Sequence, residues 1–143
     1  MMPWIYQGQN FEPAELKPEV NVGFVYLIEN LVDGRKYIGK KLFFFRGFKK
    51  VTLKNGKKKR KRILIESDWK TYYGSSNDLS ADVKLHGEDK FKRTILHLCE
   101  SRSECSYLEA KEQIMQDAIL NKNFYNCFIS LKLNRKCLKR LLF

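Results

Sequence analysis

Residues 23–41 read GFVYLIENLVDGRKYIGKK, and the reading of this stretch decides the fold. Phe24, Tyr26 and Ile28 alternate with Val25, Leu27 and Glu29, a period of two whose β-branched and aromatic side chains suit a pleated strand. Asp33-Gly34 is a tight-turn pair, because glycine takes a positive φ without steric cost. Arg35 to Ile38 is the return arm, ended by Gly39 and followed by Lys40 and Lys41. The stretch is a β-hairpin with one tyrosine on each arm, and pairing across the turn can bring Tyr26 and Tyr37 close on one face. Most strand tyrosines simply pack; a polar role needs further signals.

The next signal outward is charge. The chain has 143 residues, 43% of them hydrophobic, enough for one domain with a real core. Its net charge of +12 is concentrated: residues 49–62, KKVTLKNGKKKRKR, hold nine Lys and Arg and no acid. Residues 132–143 hold five more, again without an acid, so the rest of the chain is close to neutral. Like charge gathered this densely repels itself without a partner, which favours a nucleic acid over a merely solvated face. Asn55-Gly56 is a hairpin-turn pair, with Val51-Thr52-Leu53 and Ile63-Leu64-Ile65 as candidate arms. Residues 49–65 are therefore expected to form a basic ribbon or flexible loop inserted in the domain. A ribbon fits the major groove of B-form DNA, a loop would track phosphates, and the KKKRKR run also reads as a nuclear-localisation signal. The candidate DNA contacts in and before the insert are Lys40, Lys49, Lys50, Lys57, Lys58, Lys59, Arg60, Lys61 and Arg62. Arg135 and Lys136 are the candidates in the tail.

Cys99, Cys105, Cys127 and Cys137 form no CxxC pair and no zinc-finger spacing, and the two histidines are too few for a histidine-based metal cluster. No signal peptide and no apolar run near membrane-spanning length is visible, so reduced thiols, a cytoplasmic location and no membrane partner are expected.

Taken in order, residues 1–21 read as an N-terminal arm anchored on the domain edge by Trp4, Ile5, Tyr6 and Phe11, with Pro13 and Pro18 breaking regular structure. Leu42-Phe43-Phe44-Phe45 is expected to be buried. Ser67-Asp68 can cap a short turn from Trp69 to Tyr73, stopped by Gly74. Ser75 to Asp78 can cap a helix running to about His86 and ended by Gly87. Its core face would hold Leu79, Val83 and either Leu85 or His86. Residues 91–98 alternate as a third strand, and Ser101 or Ser103 opens the longest helix, to about Leu120. Its predicted core stripe is Tyr107, Leu108, Ala110, Ile114, Met115, Ala118 and Ile119. Phe124-Tyr125-Asn126 follows as a turn, and the tail from Leu131 reads as helical. The order predicts a small α+β domain over 22–130, followed by a basic tail, 131–143.

Gly23-Phe24-Val25-Tyr26 and Tyr37-Ile38-Gly39-Lys40 together resemble the paired motifs of the GIY-YIG nuclease superfamily, with Phe-Val-Tyr standing where Gly-Ile-Tyr is usual. KLHGEDKFKRTIL, the acids of the helix after Ser103, and Phe124-Tyr125-Asn126 resemble its later passages. The lysine-rich insert and residues 68–75, DWKTYYGS, resemble the phage-encoded Seg-type homing endonucleases. The resemblance implies a central antiparallel three-stranded sheet flanked by helices. It also implies hydrolysis of phosphodiesters in DNA, double-stranded DNA foremost, with one divalent ion, Mg²⁺ foremost.

In that chemistry Tyr26 would be the general base or water positioner, and Tyr37 would hold the phosphate or the water. A free phenol has a pKa of roughly 10, so Tyr26 would need a cation or metal nearby, and Lys40 or Lys41 would supply that field. Arg46 would clamp the phosphate in the family's manner, or Lys41 would take its place. The metal ligand would be Glu109 by resemblance to the family motif, with Glu112 the alternative on helical geometry. Asn126 would hold the site's geometry. The absence of a large reading domain suggests modest sequence specificity. Two rivals remain: a non-catalytic nucleic-acid-binding protein that keeps the fold and uses Trp69, Tyr72 and Tyr73, or a small basic RNA-binding protein without a metal site.

Overall fold

The computed structural model describes residues 2–142 apart from positions 13 and 15; Pro13, read above as a chain breaker, lies outside the described residues. The strands are β1 (Trp4–Tyr6), β2 (Gln9–Asn10), β3 (Gly23–Asn30), β4 (Lys36–Leu42), β5 (Phe44–Thr52), β6 (Lys58–Glu66) and β7 (Phe91–Cys99). The helices are α1 (Asn77–His86) and α2 (Arg102–Met115), with 3-10 turns at Trp69–Thr71, Glu88–Lys90 and Arg135–Leu141. Among the described residues no helix is long and apolar enough to cross a membrane.

The hairpin forms as its alternation dictates. β3 and β4 pair antiparallel from Glu29↔Lys36 to Gly23↔Leu42, closed by a loop in which Gly34 takes φ +81°. β3 pairs on its other side with β7, also antiparallel. The expected three-stranded sheet is thus the centre of a wider one. β1 adds to β7 in parallel and β2 to β1, giving a mixed five-stranded sheet of order β2-β1-β7-β3-β4. The N-terminal arm therefore does more than pack on an edge. It covers the free edge of β7, which would otherwise present unpaired N–H and C=O groups. Trp4 is buried, and its indole N–H donates to the Trp69 carbonyl at 2.8 Å.

Alternation on β3 feeds two cores. Phe24, Tyr26 and Ile28 face an aromatic cluster with Trp4, Phe11, Phe43, Trp69 and Leu79. Val25 faces the other side with Ile38, Cys99, Cys105 and Ala118, under α2. A bulge opposite Val25/Tyr26 adds one residue to β7. Leu96 and His97 consequently both serve the α2 side: Leu96 packs there, and His97 reaches Glu112. Cys99 and Cys105 are buried and both are free thiols.

Arg93 is buried in the aromatic cluster and pairs with no carboxylate among the described residues. Its guanidinium donates to the carbonyls of Lys70 (2.9 Å), Tyr72 (3.0 Å) and Met2, and lies over the rings of Trp4 and Tyr73. Burial holds its pKa below the usual arginine value. It staples the 70–72 loop and the N-terminal arm to β7.

Of the next three local expectations, those for residues 42–45 and for the end of α2 are corrected, and that for α1 holds. Phe43 is buried, but Phe45 is 42% exposed, because the chain leaves the body at Phe44 and runs out as an antiparallel ribbon, β5–β6, through to Glu66. α1 is capped at Ser76 and stopped at Gly87, with Leu79 buried and Leu85 exposed. α2 is capped by Ser101 but ends at Met115, not near Leu120. Asp117 takes φ +51°, the Asp117 N–H donates to the Ile114 carbonyl and the Ala118 N–H to the Gln113 carbonyl, a Schellman ending with aspartate in glycine's place.

The predicted α2 stripe holds only in part: Leu108, Ala110 and Ala118 pack inward. Ile114 and Met115 are 62% and 68% exposed, and Tyr107 and Ile119 are exposed as well. The buried positions are Glu104, Cys105, Ala110 and Gln113. The helix turns its polar residues toward the sheet.

Candidate active site

Tyr26 stands opposite Gly39 on β4, and Tyr37 opposite Ile28 on β3, so the two rings lie diagonally on one face with centroids 6.1 Å apart. Gly39 is required here: a Cβ would lie 2.4 Å from the Tyr26 hydroxyl and 2.9 Å from Cε1 of Tyr37. The missing side chain lets the Tyr26 phenol lie flat across β4. Tyr26 is only 1% exposed. Burial, then the neighbouring Tyr72 and Tyr37 phenols, push its pKa well above the ordinary value. It is a neutral O–H group at neutral pH.

Tyr37 is the tyrosine that reaches open space. Burial also raises its pKa, opposed by a hydrogen bond with Ser75 at 2.8 Å. Ser75 is placed by Gly74, which takes φ +91° with the Tyr37 ring close by, and by Ser76, the N-cap of α1.

β4 is an edge strand, and its free edge is closed by side chains. The Asn126 amide accepts from the Ile38 N–H at 3.0 Å and donates to the Ile38 carbonyl at 2.7 Å. Gln113 of α2 donates to the same carbonyl at 3.1 Å. Beside it, the Tyr125 N–H donates to the Lys36 carbonyl, so residues 123–126 run along the strand rather than forming a plain turn. The Tyr125 hydroxyl donates to Asp82 of α1 at 2.6 Å and accepts from Asn30 at 3.0 Å, and Arg35 lies over its ring. Burial and Asp82 raise its pKa to about 12. This latch fixes α1 and the Asn126 segment against the hairpin.

The next N–H along the edge, that of Lys40, faces Glu109. Burial raises the Glu109 pKa, against the pull of the Lys40 ammonium and that N–H. Glu109, Tyr37, Lys40, Gln113 and Asn126 line one hollow of about 750 Å³, with Asp78 as the other acid on its wall. Glu112 turns away. It accepts from His97 at 2.8 Å and from Gln116 at 2.9 Å, and these bonds outweigh burial and lower its pKa. Glu109 and Glu112 thus have separate fates: one faces the hollow, the other is consumed by a structural network.

Lys41 lies on the tyrosine side, 2.6 Å from Asp68 and 4.0 Å from the centroid of Tyr72, which itself packs on Tyr26. Lys40 lies on the α2 side, donating to Ser106 at 2.6 Å. Arg46 is elsewhere: it is exposed on β5 and lines a different hollow, with Glu100 and Arg102. The structure brings Lys41, not Arg46, to the tyrosines, because the chain leaves the body at Phe44. Lys49, Lys50, Lys57, Lys58, Lys59, Arg60, Lys61 and Arg62 are all exposed on the ribbon or its turn. Arg135 and Lys136 are exposed on the tail, whose Arg140 pairs with Glu100 and Glu104.

Sequence reasoning missed Gln113, and it gave Ser75 only a capping part and Tyr72 only a part in nucleic-acid binding. The one signal for Gln113 was its place on the same helical face as Glu109, four positions on.

A divalent ion fits this site only in one way. Among the described residues no three His, Cys, Asp or Glu side chains gather to cage a metal. A half-buried carboxylate whose charge is under-compensated can instead share a hard cation with substrate oxygens and water, as Mg²⁺ commonly does.

A small α+β domain with a tyrosine-bearing hairpin, an edge strand clamped by asparagine and a helix glutamate facing the same hollow is the class of structure defined here. The chain belongs to the GIY-YIG nuclease superfamily: the family described as "Putative endonuclease segE, GIY-YIG domain" matches residues 4–129. It is similar to "Putative endonuclease segE" of Enterobacteria phage T4, 33% identical over 103 residues, which cover 72% of this chain and 39% of that protein. The chain thus spans well under half the length of that relative. No solved structure matches it.

Proposed function

We propose that the chain is a DNA endonuclease that hydrolyses phosphodiester bonds with one divalent metal ion, Mg²⁺ foremost, and that it is of the phage-encoded Seg type. The observation that carries this reading is the convergence of Tyr37, Lys40, Glu109 and Asn126 on one hollow. A bound Mg²⁺ would be held by Glu109 and would supply Lewis-acid neutralisation of the leaving oxygen.

The chain's own residues supply the rest. The Tyr37 hydroxyl, held by Ser75, is placed to orient a phosphate oxygen or the attacking water. The Lys40 ammonium offsets negative charge that grows on the phosphate. Tyr26, neutral and buried, acts as a fixed hydroxyl beneath the site and not as a base in its own right, since nothing beside it lowers its pKa. Lys41 holds Tyr72 and Asp68 against that tyrosine stack. Asn126 positions the strand. The ribbon and tail give the positive field that draws duplex DNA in.

Incubation of supercoiled plasmid with Mg²⁺ or EDTA tests the reading, with wild type beside Glu109→Gln. Mg²⁺-dependent nicking or linearisation, lost in Glu109→Gln, is the expected result. A wild type that retards DNA on a gel and never cuts it, across a panel of sequences, would hand the case to a non-catalytic binding protein of this fold.

A further inference from the structure

The ribbon β5–β6 takes no part in the hollow. Its strands are nine residues each, about 30 Å at ~3.3 Å per residue. From Phe48 through the turn to Arg62 every residue but Val51 is exposed. No acid occurs between Phe44 and Ile65.

The register sorts the cations into two unlike faces. Lys49, Lys59 and Lys61 share one face with Val51. Arg60 and Arg62 share the other with Phe48, Lys50 and Lys58. Lys49 stands directly opposite Lys61, and Lys50 directly opposite Arg60. Like charges opposed across strands destabilise a ribbon, and here they do so on both faces. Relief by an anion must therefore reach both faces. A ribbon lying flat on a phosphate backbone would need cations on one face only.

The major groove of duplex DNA meets both demands. It admits a two-stranded ribbon, its floor displays guanine O6 and N7, and phosphates flank it on either side. Arginine forks pair with guanine edges, whereas lysine serves a phosphate as a point charge. The Arg60 guanidinium is already held over the Phe48 ring at 4.1 Å.

We propose that the ribbon enters the major groove of duplex DNA arginine face first, with Arg60 and Arg62 on guanine edges and Lys49, Lys59 and Lys61 reaching back to the flanking phosphates. This rests on the chain being a DNA-acting protein, but it does not depend on cleavage. The test is done on the full chain in EDTA, by fluorescence anisotropy on duplexes selected from a random library by the wild type. The triple variant Lys49→Ser, Lys59→Ser, Lys61→Ser should keep the selected sequence and flatten the slope of log K against log salt by about 2.7, three contacts at ~0.9 each. Arg60→Lys with Arg62→Lys should keep the slope and lose at least about fivefold in preference for each guanine contacted. Methyl green, a major-groove ligand, should displace the wild type, and netropsin, a minor-groove ligand, should not. Duplex RNA, whose major groove is too narrow, should bind much more weakly. The proposal is overturned if no sequence is selected, if the two variants behave alike, if only netropsin competes, or if duplex RNA binds as well. Those outcomes would leave plasmid cleavage untouched, and a protein that binds as described yet never cuts would overturn only the nuclease reading.

Discussion

Replacing Asn126 by alanine removes two hydrogen bonds to one residue: the 3.0 Å bond from the Ile38 N–H and the 2.7 Å bond to its carbonyl. The two losses are unequal. The N–H is buried and has no other acceptor among the described residues, so it is left unsatisfied, at about 1–3 kcal/mol. The carbonyl keeps Gln113 at 3.1 Å and loses less, about 0.5–1 kcal/mol. Asn126→Ala should therefore destabilise by about 1.5–4 kcal/mol, and Gln113→Ala, which spares the N–H, by about 0.5–1.5 kcal/mol. In the double variant the carbonyl has no donor left, so the combined loss should exceed the sum of the single losses by about 1 kcal/mol. Urea unfolding of the four proteins measures all three quantities. Additivity of the two substitutions, or a larger loss from Gln113→Ala than from Asn126→Ala, would refute the reasoning that the pair shares one carbonyl and that Asn126 closes the strand.

Gly39→Ala sets a Cβ 2.4 Å from the Tyr26 hydroxyl, so overpacking should cost about 1–3 kcal/mol, and activity should fall even where the fold is retained, as plasmid nicking on folded protein would report. Glu109→Gln should stabilise the protein, because burial raises the folded-state pKa of Glu109. An acid with a raised pKa weakens the fold as pH rises through its unfolded value toward its folded one, so the gain should be larger at pH 7 than at pH 4, and a gain that grows on acidification would refute this. Glu112→Gln should do the reverse, since its lowered pKa contributes stability above its unfolded value that is lost in acid. It should also keep Mg²⁺-dependent nicking, which separates it from Glu109→Gln in the same assay.

The α2 stripe, right at Leu108, Ala110 and Ala118 but wrong at Ile114 and Met115, shows where sequence reasoning and structure part. Periodicity favours Ile114 and Met115 as core because apolar residues at helical spacing usually face inward. Here the inward face must carry Glu109, Glu112 and Gln113, so the apolar residues are displaced outward. Arg46 failed differently: its distance along the chain from Gly39 fits a nearby clamp, but a strand that turns away after Leu42 takes it out along the ribbon.

The sequence by itself determined the tyrosine hairpin, the Asp33-Gly34 and Asn55-Gly56 turns, the serine caps of both helices and the separation of basic segments from a near-neutral body. Each is written in residues adjacent along the chain, where turn chemistry, capping and alternation act without reference to distant partners. Only the tertiary structure decided that Glu109 faces the hollow while Glu112 is tied to His97, that Lys41 lies by the tyrosines, and that the N-terminal arm completes the sheet. These outcomes turn on which backbone groups of β4 and β7 need partners, and Ile38 finds its partner in Asn126, 88 residues along the chain, a separation across which local pattern carries no information.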